Sequence, residues 1–434
     1  MKIELSGQTV NVSENTMLGV QPPAPEPIGL HSAALEGLNA PLDVPPLAKW
    51  DLHGKTAAVL VDDWGRPTLC GEFLPEVLNR LNRAGVPDES ITIITASGMH
   101  DPMGDEDMCR KVGEEAFRRV RCHSHDGGNR EMLVFMGITP LGSPVWVNRY
   151  AAEADFKISL GRIYPHCTYG YEGSYKMIVP GVASFETIVR DHSLNYSDHS
   201  NYGILKGNPS RGEADAIGRM VGLDYTVNFV IDWDGNVVKG FGGTPEASFR
   251  AGVDFGQRRV WSCVTGKRAD IAILCGREMG DLSLSNNPTY YIGLAMGVTG
   301  PDGVIISTMQ YQHRPRHILE GYDLDTMPFG ELVRLHEKRN WNLEERRVQH
   351  VIKSIRGAFY ERRIFEQRSQ KLFFVAEDFP RTVLERWNAR QFPTIQAAYD
   401  AAERECAAEN PFVLAVPDAK RVLPLLRYDY GESL

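Results

Sequence analysis

Three short apolar runs, each closing on a group of polar residues, limit what this chain can become. KTAAVLVDD (Lys55 to Asp63), SITIITASGMH and FKISLGRI are short and almost uniformly apolar before their polar ends. Runs of this kind read as strands buried on both faces, which belong to parallel sheets covered by helices. Between the first two lies FLPEVLNRLNRAGV, in which Leu74, Val77, Leu78 and Leu81 share one helical face. Strand, helix, strand at this spacing is a βαβ pattern, so the first half is predicted to be α/β with a largely parallel sheet.

The texture changes near Thr226. TVNFVIDWDGNVVKGFGG reads as a hairpin turning at Asp234 to Asn236. ADIAILCG, GVIISTMQ and KLFFVAED then repeat the buried-strand pattern with helical segments between them. Two α/β domains with a cleft between them are expected: residues 1–262, and residues 263–434 with the last ~15 residues packing back on the first. MKIELSGQTVNVSEN alternates like a strand, and the proline-rich segment PPAPEPIGLHSAALEGLNAPLDVPPL reads as an extended loop or linker.

Composition narrows the function. A chain of 434 residues with formal net charge −9 and interspersed signs argues against a nucleic-acid surface, while a local basic pocket for a small anion stays open. Seven cysteines without a CxxC pair read as reduced thiols. No run approaches the ~18 apolar residues of a membrane span, so a cytoplasmic protein without a membrane partner is expected.

In open α/β sheets ligands bind beyond the carboxyl ends of the strands. Those ends deliver Asp62, Asp63 and Arg66 from the first run, His100 from the second, and Arg162, Tyr164 and His166 from the third. A glycine loop with Lys176 follows, and a later turn carries Asp191 and His192. Each has a plain structural alternative. Asp63 and Arg66 can form a loop ion pair, His100 can cap the next helix, His166 can be a satisfied structural histidine, and His192 and Lys176 can face solvent. GYEGSYK lacks the spacing of a P-loop, and CHSHD (Cys122 to Asp126) does not match a standard zinc motif. The convergence of three strand ends is more specific than any one of these residues.

Together they resemble the nickel-dependent lactate racemase family, whose enzymes carry a nickel-pincer nucleotide. The matching motifs are Asp63-Trp64-Gly65-Arg66-Pro67-Thr68, Gly98-Met99-His100 with Pro102, and Pro165-His166 with Gly170, Gly173, Lys176 and Pro180-Gly181, followed by His192. The resemblance implies that Lys176 holds the cofactor as a thioamide and His192 ligates nickel. It implies that His100 and His166 form an acid/base pair and that Arg66 takes the substrate carboxylate, oriented by Asp63. It also implies that Gly170, Gly173 and Ser174 approach the cofactor. The activity implied is inversion of C2 of a 2-hydroxy acid by hydride transfer to and from the pincer, with cofactor-making enzymes as partners. Histidine suits both proton-transfer roles because its ordinary pKa is ~6.5.

This chain departs from the family pattern in two places. Glu172 stands where a small hydroxyl residue is usual. In the second domain, GDLSLSNNPTYY offers Asn286 and Thr289 where the family has a glutamine and a lysine, and Trp341 is the candidate for its tryptophan. Amides and hydroxyls in place of a cation point to a substrate more polar than lactate, such as a sugar acid. Two other classes stay open: a zinc-type hydrolase or lyase using the same histidines, and a non-catalytic cofactor-binding homologue.

Overall fold

The computed structural model describes residues 1–66, 68–197, 199–276, 288–308, 331, 334, 368–376, 381–419 and 421–429. The chain forms two compact units, Pro25–Gly256 and Met1–Ala24 with Gln257–Leu434.

The Pro25–Gly256 unit is built on a six-stranded sheet. Its order is Val237–Gly243, Tyr225–Ile231, Phe156–Ile163, Ala57–Asp62, Ile91–Ala96, Arg121–Ser124. Only the Val237–Gly243 edge strand is antiparallel to its neighbour, across the expected hairpin turn. In that turn the Asp232 carboxylate accepts from the backbone N–H groups of Asp234 and Asn236 at 2.9 and 2.8 Å. All six residues of Ala57–Asp62 are buried, which is why this strand shows no alternation of polarity. The Leu74–Arg83 helix buries Leu74, Val77, Leu78 and Leu81 into the main core with Val59, Ile93 and Phe229. The proline-rich segment holds a helix at Leu30–Asn39, not the continuous loop expected. Its Leu30, Ala33, Ala34 and Leu38 are buried, so an apolar stripe of helical spacing sits within the proline-rich flanks.

The other unit also carries a six-stranded sheet, all parallel: Ala389–Gln391, Lys371–Phe374, Thr299–Ser307, Ala269–Leu274, Val413–Val416, Thr16–Leu18. The first 24 residues therefore group with the C-terminal half and not with the domain in which the sequence reading put them. Thr16–Leu18 pairs with Val413–Val416, and Ile3, Leu5 and Val10 of the N-terminal hairpin join a core with Ile271 and Val413. Near the C-terminus, Leu423–Leu425 pairs with Ser262–Val264 inside this same unit. No described helix is long and apolar enough to cross a membrane.

Candidate active site

The register of the first sheet brings three strand ends level. Asp62 pairs with Ala96, and Val61 pairs with Leu160, so the residues after each strand leave the same edge together. Below them lies a buried clamp. Lys111 Nζ donates to Asp62 at 2.7 Å and to the Arg66 carbonyl at 3.1 Å, and the Thr68 hydroxyl donates to Asp62 at 2.5 Å. Burial lifts Asp62 above the usual carboxylate range, with Lys111, Thr68 and Arg162 pulling the other way. The clamp holds the loop that carries Asp63 and Arg66 to the strand that precedes it.

Asp63 meets His100: its Oδ2 accepts from His100 Nδ1 at 2.5 Å. A carboxylate can only accept, so Nδ1 carries the proton and Nε2 of a neutral His100 keeps the lone pair. Burial pulls Asp63 upward, but the hydrogen bond and charge of His100, with Arg66 and Lys111, hold it below its ordinary value. The following helix is capped at Gly104, so His100 is not its cap.

His166 has the opposite arrangement. It lies in a two-residue strand, Pro165–His166, paired back on Gly170–Tyr171. Its Nδ1 accepts from the backbone N–H groups of Thr168 and Tyr169 at 3.1 and 3.4 Å. An N–H group can only donate, so Nδ1 carries the lone pair and Nε2 of a neutral His166 carries the proton. When neutral, the two histidines are thus held in complementary tautomers, His100 presenting an Nε2 lone pair and His166 an Nε2–H.

Tyr169 and Glu172 connect the remaining residues. Lys176 Nζ sits 5.3 Å from the Tyr169 ring centroid, and the His192 and His166 rings approach the same ring at 5.8 and 5.3 Å. The Tyr169 hydroxyl contacts Asp191 and lies 3.0 Å from His192 Nδ1, which is itself 2.9 Å from Asp191 Oδ2. Glu172 accepts from Arg66 at 2.9 Å and from Arg162 at 2.5 Å, with Lys176 3.8 Å away. Burial alone would raise Glu172, yet Arg162, Arg66, Lys176 and His166 hold it well below the usual carboxylate range. Burial brings Lys176 down to about 8, against the attraction of Glu172 and with Arg66 and Arg162 adding to the decrease.

The structure therefore brings Asp63, Arg66, His100, His166, Lys176 and His192 into one connected set of contacts. The glycine loop is packed closely against its own unit. Gly170 and Gly173 have φ of 74° and 105°, and a Cβ at either would fall 2.4 Å from the Ile204 carbonyl oxygen or 2.9 Å from Ile163. Ser174 donates its hydroxyl to the Pro245 carbonyl at 2.8 Å. On these sides the three residues meet protein, and their visible work is to shape the loop that presents Lys176. Asn286 and Trp341 lie outside the described residues, as does Pro67. Thr289 lies in the Pro288–Val298 helix.

Sequence reasoning did not single out Tyr169, and it listed Arg162 and Asp191 without a role. Asp191 had a usable signal, a carboxylate directly beside a candidate metal-binding histidine. Tyr169 had none, because one of four tyrosines in YPHCTYGYEGSY cannot be chosen without the loop's fold. In CHSHD, burial pushes His125 down to about 4 while its Nε2 contacts the Ala183 carbonyl at 2.9 Å, the signature of a structural histidine.

Residues 6–203 match the lactate racemase N-terminal domain family. A lactate racemase of Lactiplantibacillus plantarum is 33% identical over 224 residues, covering 51% of this chain and 52% of that protein. One from Thermoanaerobacterium thermosaccharolyticum is 28% identical over 221 residues, covering 50% and 51%. The chain thus matches about half the length of these curated relatives. The solved lactate racemase apoprotein from T. thermosaccharolyticum superposes with a TM-score of 0.70 at 20% identity, covering 98% of this chain and 100% of that one. A protein from Thermotoga maritima gives 0.52 at 18% identity, covering 88% and 96%. These two likenesses carry the fold.

Proposed function

We propose that this chain, whose residues 6–203 match the lactate racemase N-terminal domain family, is an isomerase that inverts C2 of a 2-hydroxy carboxylic acid. The observation that supports this most is the pair of oppositely held imidazoles. Inversion through a planar 2-oxo acid needs one group to take the hydroxyl proton and another to return one on the opposite side. His100, with an Nε2 lone pair, takes the hydroxyl proton from one stereoisomer, and His166 returns a proton on the opposite side from Nε2 of its imidazolium form, in which Nδ1 is also protonated and has released the Thr168 and Tyr169 N–H groups. For the other stereoisomer the roles exchange with the protons moved: His166 acts as base through an Nε2 lone pair with its proton on Nδ1, and His100 acts as acid in its imidazolium form beside Asp63. Arg66 offers its planar fork to the substrate carboxylate, and Asp63 keeps His100 in its tautomer.

The cofactor in this reading is the nickel-pincer nucleotide, held by Lys176 with His192 on the metal. The donor chemistry fits. Lys176 is a buried amine whose pKa burial brings down to about 8, so a share of it is the free nucleophile that an acyl-type attachment requires. His192 has its Nδ1 held by Asp191 and Tyr169, a carboxylate–histidine arrangement that suits a metal ligand binding through Nε2. In this reading the remaining donors to the metal would come from the cofactor. When bound, the group would supply a hydride acceptor and donor for C2. The partners implied are the enzymes that make it. A polar substrate such as an aldonate remains our reading, resting on the residues at 286 and 289.

Protein co-expressed with the cofactor-making enzymes and offered single enantiomers of lactate and a panel of aldonates should racemise or epimerise C2. Nickel-loaded protein that inverts none of them would overturn the assignment. Fast lactate turnover without aldonate activity would overturn the polar-substrate part alone. Asp191→Asn should weaken nickel retention about 10–100-fold, read by elemental analysis after dialysis against chelator; undiminished retention would remove Asp191 from this role.

A further inference from the structure

The residue that departs most from the family pattern, Glu172, is also the most heavily paired in the site. Its buried carboxylate takes Arg66 Nη2 on Oε1 at 2.9 Å and Arg162 Nε on Oε2 at 2.5 Å. Arg162 is further held with its guanidinium 5.1 Å from the Tyr164 ring centroid. A carboxylate placed against Arg66 by itself would neutralise the group that should attract an anionic substrate. Arg162 changes that outcome. Two guanidinium groups on one carboxylate leave this trio with one net positive charge, beside Asp63, which is also coupled to Arg66. Lys176 cannot supply this charge in a loaded protein, because an acylated amine is neutral.

We propose that Arg162 and Glu172 form a positioning pair for Arg66. Glu172 fixes the Arg66 fork from its inner side, and Arg162 offsets the Glu172 charge so that Arg66 still attracts an anion. This rests on the proposed binding of the substrate carboxylate by Arg66, and neither residue is assigned contact with substrate. It also explains why a carboxylate is tolerated in a site for anionic ligands. Glu172 without Arg162 would offset part of the attraction that Arg66 exerts on the substrate.

The test uses Arg162→Met, Glu172→Gln and the double variant, each checked for folding by circular dichroism. In loaded protein, R162M should raise KM for a 2-hydroxy carboxylate about tenfold or more while kcat changes by less than about threefold. Adding E172Q should bring KM back to within about threefold of the parent, because Arg66 again carries one uncompensated charge and the amide oxygen introduced by E172Q can still accept its hydrogen bond. A merely structural pair would give the reverse, with the double variant no better than R162M. That result, or an unchanged KM in R162M, overturns the proposal. The same variants, each also carrying Lys176→Met so that position 176 is uncharged as it is in loaded protein, are titrated as apoprotein with D-gluconate, lactate and uncharged lactamide by calorimetry. There R162M should weaken the two acids and spare lactamide, and the double variant should restore the acids. This arm decides the pair even if loaded protein inverts no substrate, in which case only the isomerase reading fails. Equal affinity of all variants for the acids would overturn the pair alone.

Discussion

Lys176→Ala should abolish the covalent cofactor adduct completely. Wild-type protein co-expressed with the cofactor-making enzymes should carry one added mass, localised by peptide mapping to Lys176, and K176A should carry none. The argument is chemical. An ordinary lysine is almost wholly protonated at pH 7 and is a poor nucleophile. With a pKa of about 8, roughly a tenth of Lys176 is the free amine at pH 7, some two to three orders of magnitude above an unperturbed lysine. A small amine-reactive acylating probe applied to apoprotein should therefore label Lys176 first, with a rate that rises through about pH 8 and then levels off. Labelling that rises only near pH 10.5, or an adduct on another residue, would refute the assignment.

The same shift carries a stability consequence. The folded pKa lies below the unfolded value, so the folded state gains relative stability as pH rises through about 8 and holds it fully above 10.5. Below about pH 8 the buried ammonium is a cost of up to about 3 kcal/mol at ~1.4 kcal/mol per unit. Lys176→Met apoprotein should accordingly have the higher Tm at pH 7, with the difference closing as pH approaches 10.5. Equal Tm values at pH 7 would show that the amine is not strained by its burial.

His100→Ala and His166→Ala should each lower turnover by about 10²–10⁴-fold in both directions, with the Lys176 adduct and bound nickel retained. Both directions fail together because each imidazole is base for one stereoisomer and acid for the other. Asp63→Asn should fall into the same range while leaving the fold intact, because an amide in place of the carboxylate no longer demands Nδ1–H on His100. The discriminating control is adduct mass together with nickel content: a variant that loses cofactor says nothing about proton transfer, whereas a loaded but inactive one does. If either histidine variant keeps turnover within about tenfold of the parent, the two-imidazole mechanism is wrong.

Much of this molecule was legible in the chain because the relevant signals are local. Buried parallel strands require apolar runs, so KTAAVLVDD, SITIITASGMH and FKISLGRI identified three adjacent strands of one sheet, and their polar ends identified the edge that carries Asp63, His100 and His166. The Leu30–Asn39 helix was lost because the prolines flanking it dominate a local reading, although its burial stripe has helical spacing. Pairing of Thr16–Leu18 with Val413–Val416 was out of reach for a different reason: nearly four hundred residues separate the partners, and neither strand encodes the other's address.

What the sequence by itself determined is the set of side chains and the strand ends that carry them, since residue type and apolar period are properties of short segments. Only the tertiary structure decided how those side chains are poised. Which nitrogen of His100 and of His166 holds the proton depends on acceptors and donors brought to them by the fold, Asp63 in one case and two loop N–H groups in the other. The charge on Lys176 depends likewise on burial beside Glu172, Arg66 and Arg162, and electrostatic effects of that kind follow from distance in space, not from order along the chain.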